Sequence, residues 1–202
     1  MILVVCALAA ELRFYEAPAE VALLAAGVGP VESAIAISRA LARTEYDAVI
    51  HAGIAGAYRD SARVGDVRLV VHDTLADFGL EGGGTLALPD GTLVASAAAD
   101  PGLVARIGDV LPQARGLTVT AVTATEATGA RLRSRYGHDV ETMEGFAILR
   151  ACEIARVRAV GVRGISNYIG DRASSAWDFA AGARATATAL AAVVGRLTQV
   201  PA

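Results

Sequence analysis

Apolar and polar positions along the chain follow two alternating rhythms. The runs Ile2–Leu8, Val21–Ala26, Ala48–Ala52, Asp66–Thr74, Leu117–Thr123 and Arg158–Ser166 are nearly continuous in apolar residues, as in strands covered on both faces. Between them, Val31–Arg43, Pro101–Gly108, Glu126–Tyr136, Glu144–Arg156 and Asp178–Leu197 repeat their apolar residues at helical spacing. In the first of these, Ala34, Ile37, Ala40 and Leu41 share a face, and Glu32, Ser38, Arg39 and Arg43 lie elsewhere. Strands alternating with helices predict an α/β protein: a three-layer α/β/α sandwich with a central mixed sheet, in a single domain over residues 1–202. Asp77–Gly91, with Gly82-Gly83-Gly84 inside it, is expected to be a loop or hairpin excursion, and Gln199–Ala202 a frayed end.

Composition narrows the class. The chain is 54% hydrophobic and 19% charged, so it carries more apolar matter than one surface needs to hide. No charge-free apolar stretch reaches the ~20 residues of a membrane span. Met1–Ala10 has no basic residues before its apolar run and is followed by Glu11, which suits a buried strand better than a secretory signal. A cytoplasmic protein is therefore expected, with no membrane contact and with the apolar surplus going to a core and a homodimeric or larger interface. A net charge of −3 with no basic stripe argues against a nucleic-acid partner. All 18 basic residues are Arg, which removes Schiff-base lysine chemistry and Walker-type phosphate binding. Cys6 and Cys152 sit in apolar segments without metal-ligand spacing, as buried, reduced thiols do. His51, His72 and His138 are scattered, so no metal and no cofactor is expected.

In α/β sheets ligands collect where strands end, and several such ends carry usable chemistry. Glu11 follows the first strand, either facing a pocket or serving as a first-turn helix carboxylate. Gly27-Val28-Gly29-Pro30 is either an anion cradle or a plain strand–helix turn, with too few glycines for a dinucleotide fingerprint. His51-Ala52-Gly53-Ile54-Ala55-Gly56 leaves room for a flat base or a sugar, and His51 fits a catalytic base no better than a packed histidine. Glu141-Thr142-Met143-Glu144-Gly145 puts two carboxylates at a strand-to-helix junction. One of them either accepts from two adjacent sugar hydroxyls or merely caps the helix. The last strand ends at Ser166-Asn167, and an amide there either complements a 6-oxopurine or forms a turn.

Taken in order, Ala7–Glu11, Gly27–Pro30, Gly53–Gly56, Val64-Gly65-Asp66, Thr123–Thr128, Glu141–Gly145 and Arg163–Arg172 with Trp177-Asp178 resemble the purine nucleoside phosphorylase and nucleosidase superfamily. The likeness is strongest to its futalosine hydrolases. It implies a nucleoside phosphorylase-like fold and N-glycosidic hydrolysis of a purine nucleoside. It implies that Glu11 activates the attacking water and that Met143 and Glu144, beside Thr142, hold the ribose. It also implies that Gly53, Ile54, Ala55, Thr125 and Ala127 belong to the substrate pocket. Asn167 stands where methylthioadenosine/S-adenosylhomocysteine nucleosidases carry an Asp, a departure that implies a hypoxanthine leaving group. Futalosine carries a carboxyphenyl ketone on the 5′ side of its sugar, and Arg172 or Arg163 is available to meet that carboxylate. The alternatives are an adenine-nucleoside hydrolase, a phosphorylase needing an anion site, and a non-catalytic binder on the same fold.

Overall fold

The computed structural model describes residues 1–81, 86–89, 91–170 and 177–199. Its main sheet begins with β1 (Ile2–Cys6), β2 (Val21–Ala25), β3 (Ala48–Ala57) and β4 (Val67–Leu75). A small hairpin of β5 (Ala87–Leu88) and β6 (Gly91–Thr92) lies inside the expected excursion, whose Gly82-Gly83-Gly84 falls outside the described residues. The sheet continues with β7 (Ser96–Ala98), β8 (Gln113–Thr118), β9 (Val140–Thr142) and β10 (Ala159–Tyr168). The helices are α1 (Pro30–Leu41), α2 (Pro101–Ile107), α3 (Glu126–Tyr136), α4 (Gly145–Ala155) and α5 (Phe179–Thr198). At the end of α5 only Gln199 of the expected frayed segment is described.

The sheet is mixed. β1 pairs parallel with β2 and β3, β3 with β10, β4 with β8, and β8 with β9, whereas β10–β4, β3–β9 and β4–β7 are antiparallel. Because β10 joins both β3 and β4, the path β3–β10–β4–β8–β9 returns to β3 and closes into a ring. One face of the sheet packs through Val4, Ile50, Val160 and Val162 against α2 and α5, with Leu103, Ile107, Leu190 and Val193 opposite. The other face packs through Leu3, Val5 and Val49 against Ile37 of α1 and Ile148, Leu149 and Cys152 of α4. This is the three-layer arrangement the apolar rhythm predicts.

Local chemistry sets the helix ends. Asp100, Thr125 and Asp178 accept from the amides of Leu103, Thr128 and Ala181, satisfying first-turn donors of α2, α3 and α5. Several strand boundaries differ from the sequence expectation, and β1 and β8 end at Cys6 and Thr118 rather than at Leu8 and Thr123. β3 and β10 run past Ala52 and Ser166 because they keep pairing with each other as far as Ala57 and Tyr168. β8 begins at Gln113 rather than Leu117, since ladder pairing with β4 outweighs its polar start. Gly53–Gly56 and Asn167 thus lie within strands, not in turns beyond them.

Helix α5 lies unusually close to the sheet. A Cβ on Gly164 would overlap the Gly182 carbonyl oxygen of α5, and Thr186 Oγ1 accepts from the Gly164 amide at 3.0 Å. Gly164→Ala is therefore expected to lower stability by about 1–3 kcal/mol through overpacking. Thermal denaturation that leaves Tm unchanged would show that the helix can retreat without cost.

Candidate active site

The C-terminal ends of β1, β3 and β10 and the start of α4 border one cavity, which Glu11, Glu144 and Asn167 all line. Glu11 sits in a 3-10 turn, Ala9–Leu12, just beyond β1. Its Oε2 accepts from the amides of Ala7 (2.9 Å) and Leu8 (3.0 Å), and its Oε1 from that of Ile54 (3.0 Å). Both oxygens are thereby fixed, and the group is buried. A carboxylate held so firmly still has lone pairs for a water molecule in the cavity.

Glu144 is the residue immediately before α4, and its Oε1 accepts from the Gly29 amide at 2.9 Å. Gly29 opens α1 with a φ of 89°, a conformation that suits glycine and turns its amide outward. The Gly27–Pro30 segment does cradle an anion, and that anion is the protein's own Glu144. Burial raises the Glu144 carboxyl above its ordinary range, opposed by the nearby Arg163 guanidinium and by the Gly29 amide. The start of α4 is braced from behind. Thr142 Oγ1 accepts from the Gly145 amide (3.2 Å), and Thr118 Oγ1 accepts from the Phe146 amide (2.8 Å) while donating to Asp73 (2.7 Å). Burial pushes the Asp73 carboxyl up to about 7.

Arg163 lies under both carboxylates and is 1% exposed. Its Nη2 is 3.9 Å from Glu144 Oε2 and contacts the His51 ring, at 2.8 Å from Nδ1; its Nη1 reaches the Ile54 carbonyl at 3.4 Å. Burial first, and then the guanidinium, hold the His51 imidazole well below its usual pKa. His51 is thus a neutral acceptor for Arg163, the packed-histidine alternative. Gly53 makes room for this cluster: a Cβ there would lie 2.6 Å from Arg163 Nη1 and 2.7 Å from Glu11 Oε1. Two carboxylates against one guanidinium leave the cavity floor negative, which favours cationic character in whatever reacts above it.

Asn167 reaches the cavity through a bulge. β10 pairs Ile165 with Ala55 and then Asn167 with Gly56, so Ser166 is the extra residue. A Cβ on Gly56 would come within 3.0 Å of Asn167 Nδ2. Oδ1 accepts from Ser166 Oγ at 2.9 Å, Nδ2 donates to the Tyr168 carbonyl at 3.3 Å, and Trp177 Nε1 donates to Ser166 Oγ at 3.0 Å. Those bonds leave one lone pair on Oδ1 and one N–H on Nδ2. Glu141, the other carboxylate of the junction, accepts from the Thr123 amide at 3.0 Å and from the Thr123 hydroxyl.

Of the remaining residues expected at the site, Ile54, Ala55, Thr142 and Met143 line the cavity. Gly53 lies beneath it, as spacer for Arg163 and Glu11. Thr125 and Ala127 are not among its lining residues: Thr125 caps α3, Ala127 is exposed beside it, and Val122 faces the cavity in their place. Arg172 lies outside the described residues. Arg163 is committed to Glu144 and His51, so it does not present a free guanidinium to a ligand. Its structural role was open to detection, because a charge in a strand buried on both faces requires a buried partner. Leu8, Val28, Trp177 and Phe179 complete the apolar wall. Among the described residues no group of His, Cys, Asp and Glu could hold a metal, and no helix is long and apolar enough to cross a membrane.

Residues 8–199, which include Glu11, Glu144, Arg163 and Asn167, match the model of the phosphorylase superfamily. The chain belongs to that superfamily. Within it, the chain is similar to the futalosine hydrolase of Streptomyces coelicolor, at 38% identity over 173 residues covering 77% of this chain and 70% of that protein. It is 34% identical to the futalosine hydrolase of Thermus thermophilus over 162 residues, 76% of this chain and 72% of that one. In fold, it matches the 5′-methylthioadenosine/S-adenosylhomocysteine nucleosidase of Colwellia psychrerythraea, solved in complex with adenine. That match has a TM-score of 0.83 and 20% identity over 100% of this chain and 97% of the other.

Proposed function

We propose that this superfamily member is a futalosine hydrolase, cleaving the N-glycosidic bond of futalosine to give hypoxanthine and dehypoxanthinylfutalosine in menaquinone biosynthesis. The observation that carries the reading is Asn167, bulged into the cavity with one acceptor and one donor to spare opposite Glu11 and Glu144. A 6-oxopurine protonated at N7 offers the complement, an N–H beside a carbonyl. The 34–38% identity to the two futalosine hydrolases supports the same substrate.

In the mechanism, the ribosyl–N9 bond stretches toward an oxocarbenium-like state. Glu144, fixed by the Gly29 amide, accepts from the sugar hydroxyls, with Met143 alongside. The negative floor stabilises the developing positive charge. Glu11 takes a proton from the water attacking the anomeric carbon. Asn167 holds the departing base as its N7 takes a proton from solvent.

One comparison tests this reading: futalosine, inosine and methylthioadenosine side by side, with and without phosphate, with the released base identified by chromatography. Hypoxanthine release from futalosine independent of phosphate is expected. Intact futalosine together with cleaved methylthioadenosine would sink the assignment, and a strict phosphate requirement would make the enzyme a phosphorylase. Asn167→Asp should lower futalosine turnover about 10- to 100-fold, since a carboxylate oxygen then faces the base carbonyl, and should raise methylthioadenosine cleavage. No gain on the adenine nucleoside would remove Asn167 as the source of specificity.

Self-assembly and a cytoplasmic setting belong to the same reading. Val28, Val31 and Ile35 are exposed at and beside the start of α1, with Val31 69% accessible, and a second copy of the chain would cover them. Cys6 and Cys152 are buried free thiols, in keeping with a reducing compartment. Sedimentation of the pure protein as a monomer at micromolar concentration would refute the oligomer.

A further inference from the structure

Arg13 stands beside a residue of the cavity wall, and Arg184 stands on the far side of the Phe14 ring that Arg13 covers, in a separate surface depression that Phe14 and Glu16 also line. Arg13 follows the turn that carries Glu11. Its guanidinium carbon lies 4.6 Å from the centroid of the Phe14 ring and 5.9 Å from that of Phe179, a residue of the cavity wall. Arg184, on α5, lies 4.4 Å from the same Phe14 ring. Both arginines are exposed. Among the described residues neither forms an ion pair with a carboxylate, a state they share with several other surface arginines such as Arg39 and Arg59. Two cations sharing one ring repel each other, and an anion between or beside them relieves that repulsion.

The position of the pair gives it a substrate end to serve. With the base on Asn167, the sugar hydroxyls on Glu144 and the water on Glu11, Leu8 and Phe179 are among the apolar lining residues left to face the 5′ substituent, together with Val28, Val122 and Trp177. Arg13 stands against Phe179 on that side. Arg163, which the sequence also offered for a substrate carboxylate, is buried and engaged with Glu144 and His51.

We propose that Arg13, supported by Arg184, binds a carboxylate carried at the far end of the nucleoside's 5′ substituent, with Phe179 and Phe14 flanking an aromatic spacer. This makes Arg13 a specificity residue for nucleosides with an acidic, aromatic 5′ extension, and it rests on the futalosine hydrolase reading above. A planar guanidinium is suited to the role because it grips a carboxylate through two parallel N–H donors while its face stays on an aromatic ring.

The test uses steady-state kinetics on futalosine, its methyl ester and inosine. The wild type should favour futalosine over the ester, and its KM for futalosine should rise with salt. Arg13→Met should raise that KM about 10- to 100-fold, abolish the salt dependence, and leave kcat/KM on inosine within about twofold. Arg13→Lys should recover part of the loss. Arg184→Met should shift the same KM in the same direction, by less. Equal losses on futalosine and inosine in Arg13→Met would reduce Arg13 to a structural role and overturn the inference. Wild-type enzyme that cleaves futalosine and its ester alike would overturn it as well, leaving the substrate reading standing. Wild-type enzyme that cleaves inosine but not futalosine would overturn both.

Discussion

Glu11→Gln is expected to slow hydrolysis about 10²- to 10⁴-fold, the usual contribution of a general base. Shape is nearly conserved, so the loss should fall on kcat while KM moves little. The amide has a second effect, set by the hydrogen bonds of the native carboxylate. Three backbone N–H groups, those of Ala7, Leu8 and Ile54, point at the two oxygens of Glu11. A glutamine oxygen can face Ala7 and Leu8, but its Nε2 then meets the Ile54 N–H, donor against donor. Some loss of Tm therefore accompanies the loss of rate, and both should be measured. Glu11→Asp, which keeps the charge but shortens the reach, is the companion variant. If Glu11→Gln stays within tenfold of the wild type, the water is activated by another group.

Arg163→Met should be the most damaging change to stability. It leaves Glu144 buried without its countercharge and His51 without a donor. Breaking a buried pair in this way costs about 3–5 kcal/mol, or roughly 6–20 °C in Tm for a chain of this size. The same substitution carries a sign in the pH profile. Burial already raises the Glu144 carboxyl and Arg163 opposes that rise. Without the guanidinium, Glu144 ionises only at higher pH, so the acid limb of the rate profile should move upward. A lowered Tm with an unmoved acid limb would mean that Arg163 braces the fold without tuning the sugar ligand. Arg163→Lys keeps the charge and should restore part of the profile even where packing suffers.

The sequence made the layers legible because β1, β3 and β10 are covered strands whose apolar runs stand out locally. β9 did not stand out: Val140–Thr142 is too short for any periodicity, and Glu141 within it is a buried acid. Glu11, Glu144 and Asn167 could be picked as residues because each lies near a strand end. What they touch could not be read. Glu144 meets the Gly29 amide 115 positions away, where α1 and α4 start side by side, and Arg163 meets His51 at a separation of 112, through the β3–β10 pairing. Asn167 owes its aim to a bulge, which a string of apolar letters does not encode. Thr125 and Ala127 came from the family resemblance rather than from their own chemistry. The chain bends toward the cavity a few residues earlier, at Val122.

The ring of five strands has a consequence for how the protein comes into being. Its closing seam joins Val49–Ala57 to Ala159–Tyr168, segments in which His51 and Arg163 lie 112 positions apart. Until the later segment leaves the ribosome, β3 and β4 both present unpaired edges, the surfaces on which nascent chains stick to one another. Such distant pairing also makes folding slow, because a long loop must be closed before the contacts reward it. The floor of the cavity is drawn from both sides of this seam, from His51 and Gly53 on one strand and Arg163 and Asn167 on the other. A chain stopped short of Arg163 therefore lacks both the cation beneath Glu144 and the amide of Asn167, and has the pieces of a site without the site.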